Sequence, residues 1–438
     1  MNLSVYRLLT HLGLPLFAYA SWKRCKKHKH DCLTNPKLPK IEGCILSRFG
    51  FNTNHFQTNG ILIHAVSVGE TRSVFGLLKS LHQRHPDLPI TLTNSSIQGA
   101  IHAHEFCPVP FQHQMLPFDY PFAVNRFLDQ LQPKVVLMVE TEIWPNLYNA
   151  CQKRDIPILL INARLKQQSF EAYQKWGGSM IQKALSSANL IAAQTQEDAQ
   201  RFSQLSGYQA NIEILGNLKS DIEIDPALMN QAVQWRQDNQ VKDRTIWVAA
   251  STHAHPKGDI SEEQLLIDTH KKLLKSSPKA LLILVPRHQA RFNEVEKQLI
   301  QSGLNFEKRT SNTLINPNTQ VYLADTLGEM MLWYAIADIA FVGGSLVPFG
   351  GHNILEPAAL SKPVISGPHF DNLTDMFSPF LKTDSIKIVK SSQELEQQLN
   401  TFSHNPEEAQ KLGHAAANCF KQQTGALDKT LSAIESYL

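Results

Sequence analysis

Short apolar runs alternate with segments whose apolar residues recur every three or four positions, from residue 61 to about residue 390. Such runs are typical of buried strands, and the segments between them are typical of amphipathic helices. In the first half of the chain, the predicted strands are Ile61–Val66, Ile90–Thr93, Val135–Val139, Ile156–Ile161, Leu190–Ala193 and Ile212–Leu215. In the second half, they are Ile246–Ala250, Ala280–Val285, Val321–Leu323, Ile339–Val342, Pro363–Ser366 and Ile386–Val389.

This alternation predicts the α/β class with doubly wound parallel sheets. The pattern breaks at a polar stretch, Asp221–Pro226, and a chain of 438 residues suits two domains. We therefore predict an N-terminal segment, 1–30, and two Rossmann-like domains, 31–222 and 223–438, the second ending in helices. Two such domains with sheets facing a central cleft form the GT-B architecture. Parallel sheets bind ligands at the carboxyl ends of their strands, so the loops that follow the strands are expected to face this cleft.

The first thirty residues differ from the rest of the chain. An apolar run, Val5–Trp22, is followed by a basic run, Lys23–Lys29. A secretory signal carries its charge before the apolar run. A spanning helix needs about 20 apolar residues, and the length of this run is marginal for a span. The order predicts a membrane-inserted or interfacial anchor whose basic flank binds anionic lipid on the cytoplasmic side. A surface helix with a solvated basic tail is the alternative.

Charge and cysteine content argue against two classes of protein, nucleic-acid binders and disulfide-stabilised proteins. The 42 Lys and Arg residues nearly balance the 39 Asp and Glu residues, which argues against a nucleic-acid binder. The six cysteines include no C-x-x-C pair, which suits a reducing compartment and argues against a disulfide framework. Cys25, His28, His30 and Cys32 could ligate zinc, but a second ligand cluster is missing.

The stretch from Asp338 to Asn372 predicts an anion site. Glycines at 343, 344, 350 and 351 follow a strand and precede Asn353, a candidate N-cap, with Glu356 at the capping-box offset. A glycine loop that leads into a helix offers free backbone N–H groups to a phosphate. An ordinary strand–loop–helix turn is the alternative.

Charged residues follow several predicted strands. Glu70 comes after the first strand and is either a helix cap or a general base, and Glu140 and Glu142 follow the strand at 135–139. Lys219 ends the first series of strands and is either solvated or a charge for phosphate or carboxylate. In the second half, Arg287 follows a strand and suits bidentate phosphate contact.

Together these loops predict a transferase for an activated, phosphate-bearing donor. The chain has no DxD-like metal pair at a strand end, no P-loop lysine motif and no G-x-G-x-x-G after the first strand. Three alternatives stay open: another GT-B enzyme such as a sugar-nucleotide epimerase, a non-catalytic membrane-bound scaffold, and a Rossmann dehydrogenase.

The motifs resemble those of the lipid A Kdo transferases, which transfer 3-deoxy-D-manno-octulosonic acid in lipopolysaccharide assembly. The resemblance covers nearly the whole chain and rests on HAVSVGET (64–71), VETEIWPNL (139–147), INARL (161–165), LIAAQ (190–194), GNLKSD (216–221), ASTH (250–253), LVPRH (284–288), DTLGEM (325–330), FVGGSL (341–346) and GGHNILEPA (350–358). It implies a GT-B fold, CMP-Kdo as donor and co-substrate, and a tetraacyl lipid A precursor as acceptor. It also implies inverting transfer without a metal or other cofactor, at the cytoplasmic face of the inner membrane.

The same resemblance implies residue roles. Glu70 matches the general base, and Glu140 and Lys219 match transition-state stabilisers. The residues that match CMP contacts are Pro286, Arg287, Gly328, Glu329, Met330, Asn353, Ile354, Leu355 and Glu356. Two stretches depart from the pattern: AHPKGDISEE (254–263) is longer than expected, and Pro348-Phe349 replaces a pair that is commonly charged.

Overall fold

The structure is a computed structural model that describes residues 1–51, 56–222, 224–258 and 260–438, except for the side chain of Asn372. It contains two compact units. Unit 1 comprises Met1–Asp221 and Thr424–Leu438, and unit 2 comprises Ile222–Gln423.

Unit 1 is built on a parallel sheet with the strand order β3-β2-β1-β4-β5-β6-β7. Its strands are β1 (Ile61–His64), β2 (Ile90–Asn94), β3 (Gln112–Met115), β4 (Val135–Val139), β5 (Ile158–Ala163), β6 (Leu190–Ala193) and β7 (Ile212–Ile214). Its first helices are α1 (Leu3–Thr34), α2 (Val68–Ser73), α3 (Phe75–Arg84), α4 (Ile97–Phe106), α5 (Pro121–Leu131), α6 (Pro145–Gln152), α7 (Gln167–Ala172), α8 (Gly178–Ser186) and α9 (Gln196–Leu205). Short helical turns lie at Leu46–Phe49, Tyr173–Gly177 and Leu218–Ser220.

Unit 2 is built on a second parallel sheet with the strand order β10-β11-β9-β8-β12-β13-β14. Its strands are β8 (Ile246–Thr252), β9 (Leu281–Pro286), β10 (Phe306–Lys308), β11 (Val321–Leu323), β12 (Ile339–Val342), β13 (Val364–Ser366) and β14 (Lys387–Ile388). Its helices are α10 (Ala227–Asp238), α11 (Glu262–Ser276), α12 (Phe292–Ser302), α13 (Met330–Ile336), α14 (Leu355–Ala359), α15 (Thr374–Lys382), α16 (Ser392–His404) and α17 (Pro406–Lys421). Short helical turns lie at Gln289–Arg291, Arg309–Ser311 and Asp371–Leu373.

The α/β class with two parallel sheets is confirmed, but the hydrophobic pattern misses one strand in each sheet. The missed strands are β3, with the sequence QHQM, and β10, with the sequence FEK. Both lie at an edge of their sheet, so they are not enclosed by neighbours on both sides. An edge strand tolerates polar residues, and its sequence therefore lacks the apolar run that marks a central strand.

The last helix, α18 (Ala426–Glu435), belongs to unit 1, so the prediction that residues 424–438 belong to the second domain is wrong. Its buried side chains Leu431 and Ile434 join the core on one face of the first sheet. The Asp221 carboxylate fixes its start by accepting hydrogen bonds from the backbone N–H groups of Gly425 (2.6 Å) and Leu427 (2.5 Å). The sequence pattern of α18 shows that one face of the helix is apolar, but it does not show which of the two cores that face joins.

The N-terminal segment is part of unit 1 and forms no separate domain. Helix α1 continues to Thr34 and is anchored by the Tyr6 hydroxyl, which donates to the buried Asp119 carboxylate at 3.0 Å. Tyr120 donates from its hydroxyl to the Thr10 carbonyl at 2.8 Å. Among the described residues, no helix combines the length and apolar character that crossing a membrane requires.

Cys25 and Cys44 form a disulfide, although the cysteine pattern argues against a disulfide framework. The bond joins α1 to the segment that precedes β1. It has no C-x-x-C signature, because the two cysteines are 19 residues apart and meet only through the packing of α1. Cys32, Cys107, Cys151 and Cys419 are free thiols.

Candidate functional site

The carboxyl edge of the first sheet holds a cluster of ionisable side chains from unit 1. Glu70 lies on α2, directly after β1, while Glu140 and Glu142 follow β4, the neighbour of β1. Lys219 lies in the short turn after β7. Because every strand of the sheet runs in the same direction, residues that follow different strands meet at this edge.

Glu70 forms the capping box of α2. One carboxylate oxygen accepts from the backbone N–H of Val66 at 2.8 Å, and the other accepts from the Ser67 hydroxyl at 2.8 Å. Burial raises the pKa of Glu70, although both hydrogen bonds oppose that rise. The side chain is therefore a helix cap, and its raised pKa also gives its carboxylate a higher proton affinity than a solvated one has.

The structure brings Glu140 and Lys219 together. Lys219 Nζ donates to a Glu140 carboxylate oxygen at 2.7 Å, and both side chains are partly exposed. Glu140 has φ 63°, in the left-handed region that residues other than glycine rarely adopt. Unusual backbone at a charged residue that follows a buried strand is common at functional sites.

The turn that carries Lys219 is fixed by two asparagines. The Asn162 side-chain oxygen accepts from the Leu218 N–H at 3.0 Å, and the Asn217 side-chain oxygen accepts from the Lys219 N–H at 2.9 Å. Asn162 is the penultimate residue of the buried strand β5 and also has a positive φ of 49°. The position of the ammonium group therefore depends on the sheet as well as on Glu140.

Glu142 lies beside this cluster and carries a strongly shifted pKa. Burial and the neighbouring Glu70 carboxylate raise the pKa of Glu142 to about 7. Its carboxylate accepts from Trp144 Nε1 at 2.8 Å, and it lies 3.9 Å from Nε2 of His64. Burial lowers the pKa of His64 to about 3, so this histidine is neutral and the contact is not an ion pair at neutral pH.

In unit 2, the predicted donor residues follow adjacent strands of the second sheet. Pro286 ends β9 and Arg287 is exposed immediately after it. The strand order places β9 between β11 and β8, with β12 next to β8. The turn that contains Gly328 follows β11, and the residues from Asn353 onward follow β12, so the same edge carries all three groups.

The prediction that the glycine loop offers free N–H groups is wrong. The buried Glu262 carboxylate accepts from the backbone N–H groups of Gly344 (2.6 Å), Ser345 (3.0 Å) and Leu346 (2.9 Å). The N–H groups of Gly350 and Gly351 donate to the Gly344 carbonyl. The N–H groups of these residues are therefore bound within the protein, those of residues 344–346 by the Glu262 carboxylate.

The remaining predicted contacts lie near two helix starts. Glu329 is the N-cap of α13, and its carboxylate accepts from the Arg309 guanidinium at 2.9 Å. Gly328 has φ 87° and faces open space. Asn353 accepts from the Leu355 N–H at 3.0 Å, although the N-cap of α14 is Ile354.

The two departures from the family pattern have structural explanations. The Glu262 N–H donates to the His253 carbonyl at 3.0 Å, so the two ends of the longer stretch lie close together. Glu262 and Glu263 therefore keep buried positions despite the longer stretch, part of which, Asp259, lies outside the described residues. Phe349 stacks on the His253 ring with a centroid separation of 3.5 Å, in place of a charged side chain.

Sequence reasoning missed the buried residues that position the site, namely His64, Asn162, Glu262 and Glu263. A polar residue inside an apolar strand run was the available signal for His64 and Asn162. Across the described ranges, no three His, Cys, Asp or Glu side chains are grouped so as to hold a metal ion.

The shifted carboxyl group of Glu142 gives a pH prediction. The folded protein holds this proton up to about pH 7, whereas the usual pKa is 4.5. Stability from this group is therefore complete at low pH and decreases as the pH rises from 4.5 to about 7. We expect Glu142→Gln to remove that decrease. Denaturant unfolding of the wild type and the variant between about pH 5 and about pH 8 measures the free energy of unfolding of each. Parallel pH profiles for the two proteins would contradict the raised pKa of Glu142.

Comparisons with known proteins agree with these motifs. The family model for 3-deoxy-D-manno-octulosonic-acid transferase (kdotransferase) matches residues 44–222. The chain is 37% identical to the 3-deoxy-D-manno-octulosonic acid transferase of Haemophilus influenzae, over 93% of this chain and 94% of that protein. It is 36% identical to the C-terminal CMP-Kdo binding domain of WaaA from Acinetobacter baumannii, over 44% of this chain and 98% of that one, with a TM-score of 0.42.

Among the solved structures that are similar over both units is the UDP-GlcNAc 2-epimerase of Neisseria meningitidis, with a TM-score of 0.53, covering 84% of this chain and 100% of that chain. At 16% identity this likeness shows the fold alone, and it supports the GT-B architecture. The identity and coverage shared with the Haemophilus protein show that the chain belongs to the 3-deoxy-D-manno-octulosonic acid transferases, which are glycosyltransferases.

Proposed function

We propose that this enzyme transfers Kdo from CMP-Kdo to a tetraacyl lipid A precursor, with inversion and without a metal, at the cytoplasmic face of the inner membrane. The observation that supports this best is the grouping of Glu70, Glu140 and Lys219 at one edge of the first sheet. A candidate base, an ion pair at 2.7 Å and a raised carboxyl pKa occur there together. The family supplies the identity of the transferred group.

The proposed chemistry assigns a proton acceptor to unit 1. The acceptor hydroxyl must lose its proton as it attacks the anomeric carbon of Kdo, and the Glu70 carboxylate takes that proton. A single displacement of this kind inverts the configuration at the attacked carbon. Lys219 stabilises negative charge in the transition state, and Glu140 holds the ammonium group in place through the 2.7 Å hydrogen bond.

The proposed donor contacts lie in unit 2. CMP departs with increasing negative charge on its phosphate, and Arg287 suits that group because a guanidinium offers a planar set of donors. Pro286 shapes the same loop. The turn from Gly328 to Met330 and the residues from Asn353 to Glu356 are proposed to contact the rest of CMP, with Glu356 accepting from ribose hydroxyls.

The first prediction concerns Glu70. Glu70→Gln removes the proton acceptor, so turnover should fall by roughly 10²–10⁴-fold while CMP affinity stays unchanged. Because glutamine also weakens the capping box, Ser67→Ala is the matched control, since it removes the hydroxyl donor at 2.8 Å and keeps the carboxylate. Kdo transfer rate and CMP affinity are measured on both variants. Equal rate losses in the two variants would reduce Glu70 to a structural residue.

The next prediction concerns Arg287, which is exposed directly after β9. Arg287→Ala should weaken CMP binding by about 1.5–3 kcal/mol, the usual cost of losing a charged hydrogen bond. Lys297→Ala removes a positive charge from exposed surface on α12 and serves as the control. Calorimetry with CMP measures both variants. Wild-type affinity in the Arg287 variant would place the nucleotide phosphate elsewhere.

We propose that α1 binds the membrane surface. Leu8, Leu12 and Leu16 recur every four residues and therefore share one face of the helix. Leu12 is 71% exposed and Leu16 is 74% exposed, and the basic run follows them. Since no described helix suits a membrane span, this face is proposed to lie in the interface while the lysines contact anionic headgroups.

This surface is tested by paired substitutions that leave the buried contacts of α1 intact. The double variant Leu12→Glu, Leu16→Glu should lower the partition onto anionic vesicles by at least about tenfold, because two apolar side chains are lost. The control is Leu314→Glu, at a leucine of unit 2 that is 66% exposed. Sedimentation with vesicles measures all three proteins, and unchanged pelleting of the double variant would exclude this face as the membrane surface.

A further inference from the structure

Unit 1 contains a cavity of about 530 Å³ whose walls come from α1, the segment before β1, and the start of α4. This volume lies within the range of about 300–1,000 Å³ that is usual for ligand sites. The cavity is lined by three cationic and two hydroxyl side chains among others, namely Arg24, Lys27, Arg48, Ser95 and Ser96.

The lining carries more positive than negative charge. Arg24, Lys27 and Arg48 are cationic, while Asp31 and Glu105 are the acidic residues of the wall. Within the part of the chain that the structure describes, neither arginine forms an ion pair with a carboxylate. The cavity therefore attracts an anion.

Arg48 is built into this wall. It is only 9% exposed, and it donates to the carbonyl oxygens of Leu116 (2.8 Å) and Ser95. These two bonds use two of the five N–H groups of the guanidinium. Burial and the charge of Arg24 lower the pKa of Arg48 to about 10, which shows that the two guanidiniums influence each other. An anion that contacts both would offset this repulsion.

The cavity wall is hydrogen-bonded to the segment between β1 and α2, the helix that carries the proposed base. The Ser96 hydroxyl donates to the Val66 carbonyl at 2.7 Å, and the N–H of the same Val66 donates to Glu70 at 2.8 Å. Ser95 is within 3.3 Å of His64 Nε2 through its hydroxyl. The cavity wall and the Glu70 carboxylate are therefore joined through the backbone of one residue, Val66.

Helix α1 connects the cavity to the proposed membrane surface. Its exposed Leu12 and Leu16 precede Ser21 and Arg24, which line the cavity, on one continuous helix. The spacing of eight residues between Leu16 and Arg24 corresponds to about 12 Å along the helix axis. A molecule with acyl chains at the apolar face can therefore present its headgroup to the cavity.

We propose that this cavity is the acceptor subsite, in which Arg24 and Arg48 bind a phosphate group of a lipid-linked phosphorylated saccharide. The inference rests on the proposed function, because it assigns to the cavity the molecule whose hydroxyl Glu70 deprotonates. The phosphate fixes the saccharide, and the apolar face of α1 receives its acyl chains.

The test uses the full-length protein and soluble probes, namely glucosamine 1-phosphate, glucosamine and inorganic phosphate. Ligand-observed NMR titration should show that glucosamine 1-phosphate binds the wild type more tightly than either of the other two. Arg24→Gln should weaken that binding by at least about tenfold, as expected for one charged contact. Lys23→Gln is the matched control, because it removes the same charge from the adjacent residue, which does not line the cavity.

Four outcomes would overturn the proposal. Equal effects of the two substitutions would show that only the general charge of α1 matters. Equal binding of inorganic phosphate and the sugar phosphate would show a simple anion site. Kdo transfer by the wild type is measured separately: a protein that binds the probe as expected but transfers no Kdo contradicts the proposed function and with it the acceptor assignment. An active wild type with unaltered binding in Arg24→Gln contradicts the cavity alone.

Discussion

The parallel pairing of the strands is the constraint on which the candidate sites depend. In the first sheet, β1 lies between β2 and β4, and every pair in that sheet is parallel. The residues that follow these strands therefore collect at one edge, although Glu70 and Lys219 are far apart in the sequence. The same constraint groups the loops after β11, β9, β8 and β12 in unit 2.

Within that frame, buried carboxylates determine the local geometry. Glu262 gathers three consecutive N–H groups after β12, which offsets the cost of burying its charge. Asp119 has a similar role in unit 1, where it accepts from the N–H groups of Asn146 and Leu147 and from Tyr6. These carboxylates are structural, whereas Glu140 and Glu142 remain partly exposed at the edge of the sheet.

The sequence predicts the central strands well because they are buried on both faces and therefore form continuous apolar runs. For β4, β6, β11 and β12, the predicted and observed bounds coincide. The resemblance singles out Glu140 and Lys219 as functional residues, and the structure shows that their side chains pair at 2.7 Å. The strand order and the position of α18 could not be predicted, since both depend on contacts between distant segments.

The glycine loop shows a second limit of prediction from the sequence. Its pattern correctly indicates a turn after β12, but the pattern is the same whether an external phosphate or an internal carboxylate binds its N–H groups. Glu262 lies 82 residues from Gly344, and no local signal links them. Likewise, the disulfide between Cys25 and Cys44 depends on where α1 packs.

The measurement that tests the central claim most directly is Kdo transfer by the wild-type protein, with CMP release and glycosylated lipid quantified together. CMP-Kdo is supplied with and without the tetraacyl lipid A precursor. The account predicts that CMP is released in proportion to Kdo attached to the lipid, and only slowly when the lipid is absent. CMP release that is indifferent to the lipid, or a lipid that remains unmodified, would contradict it.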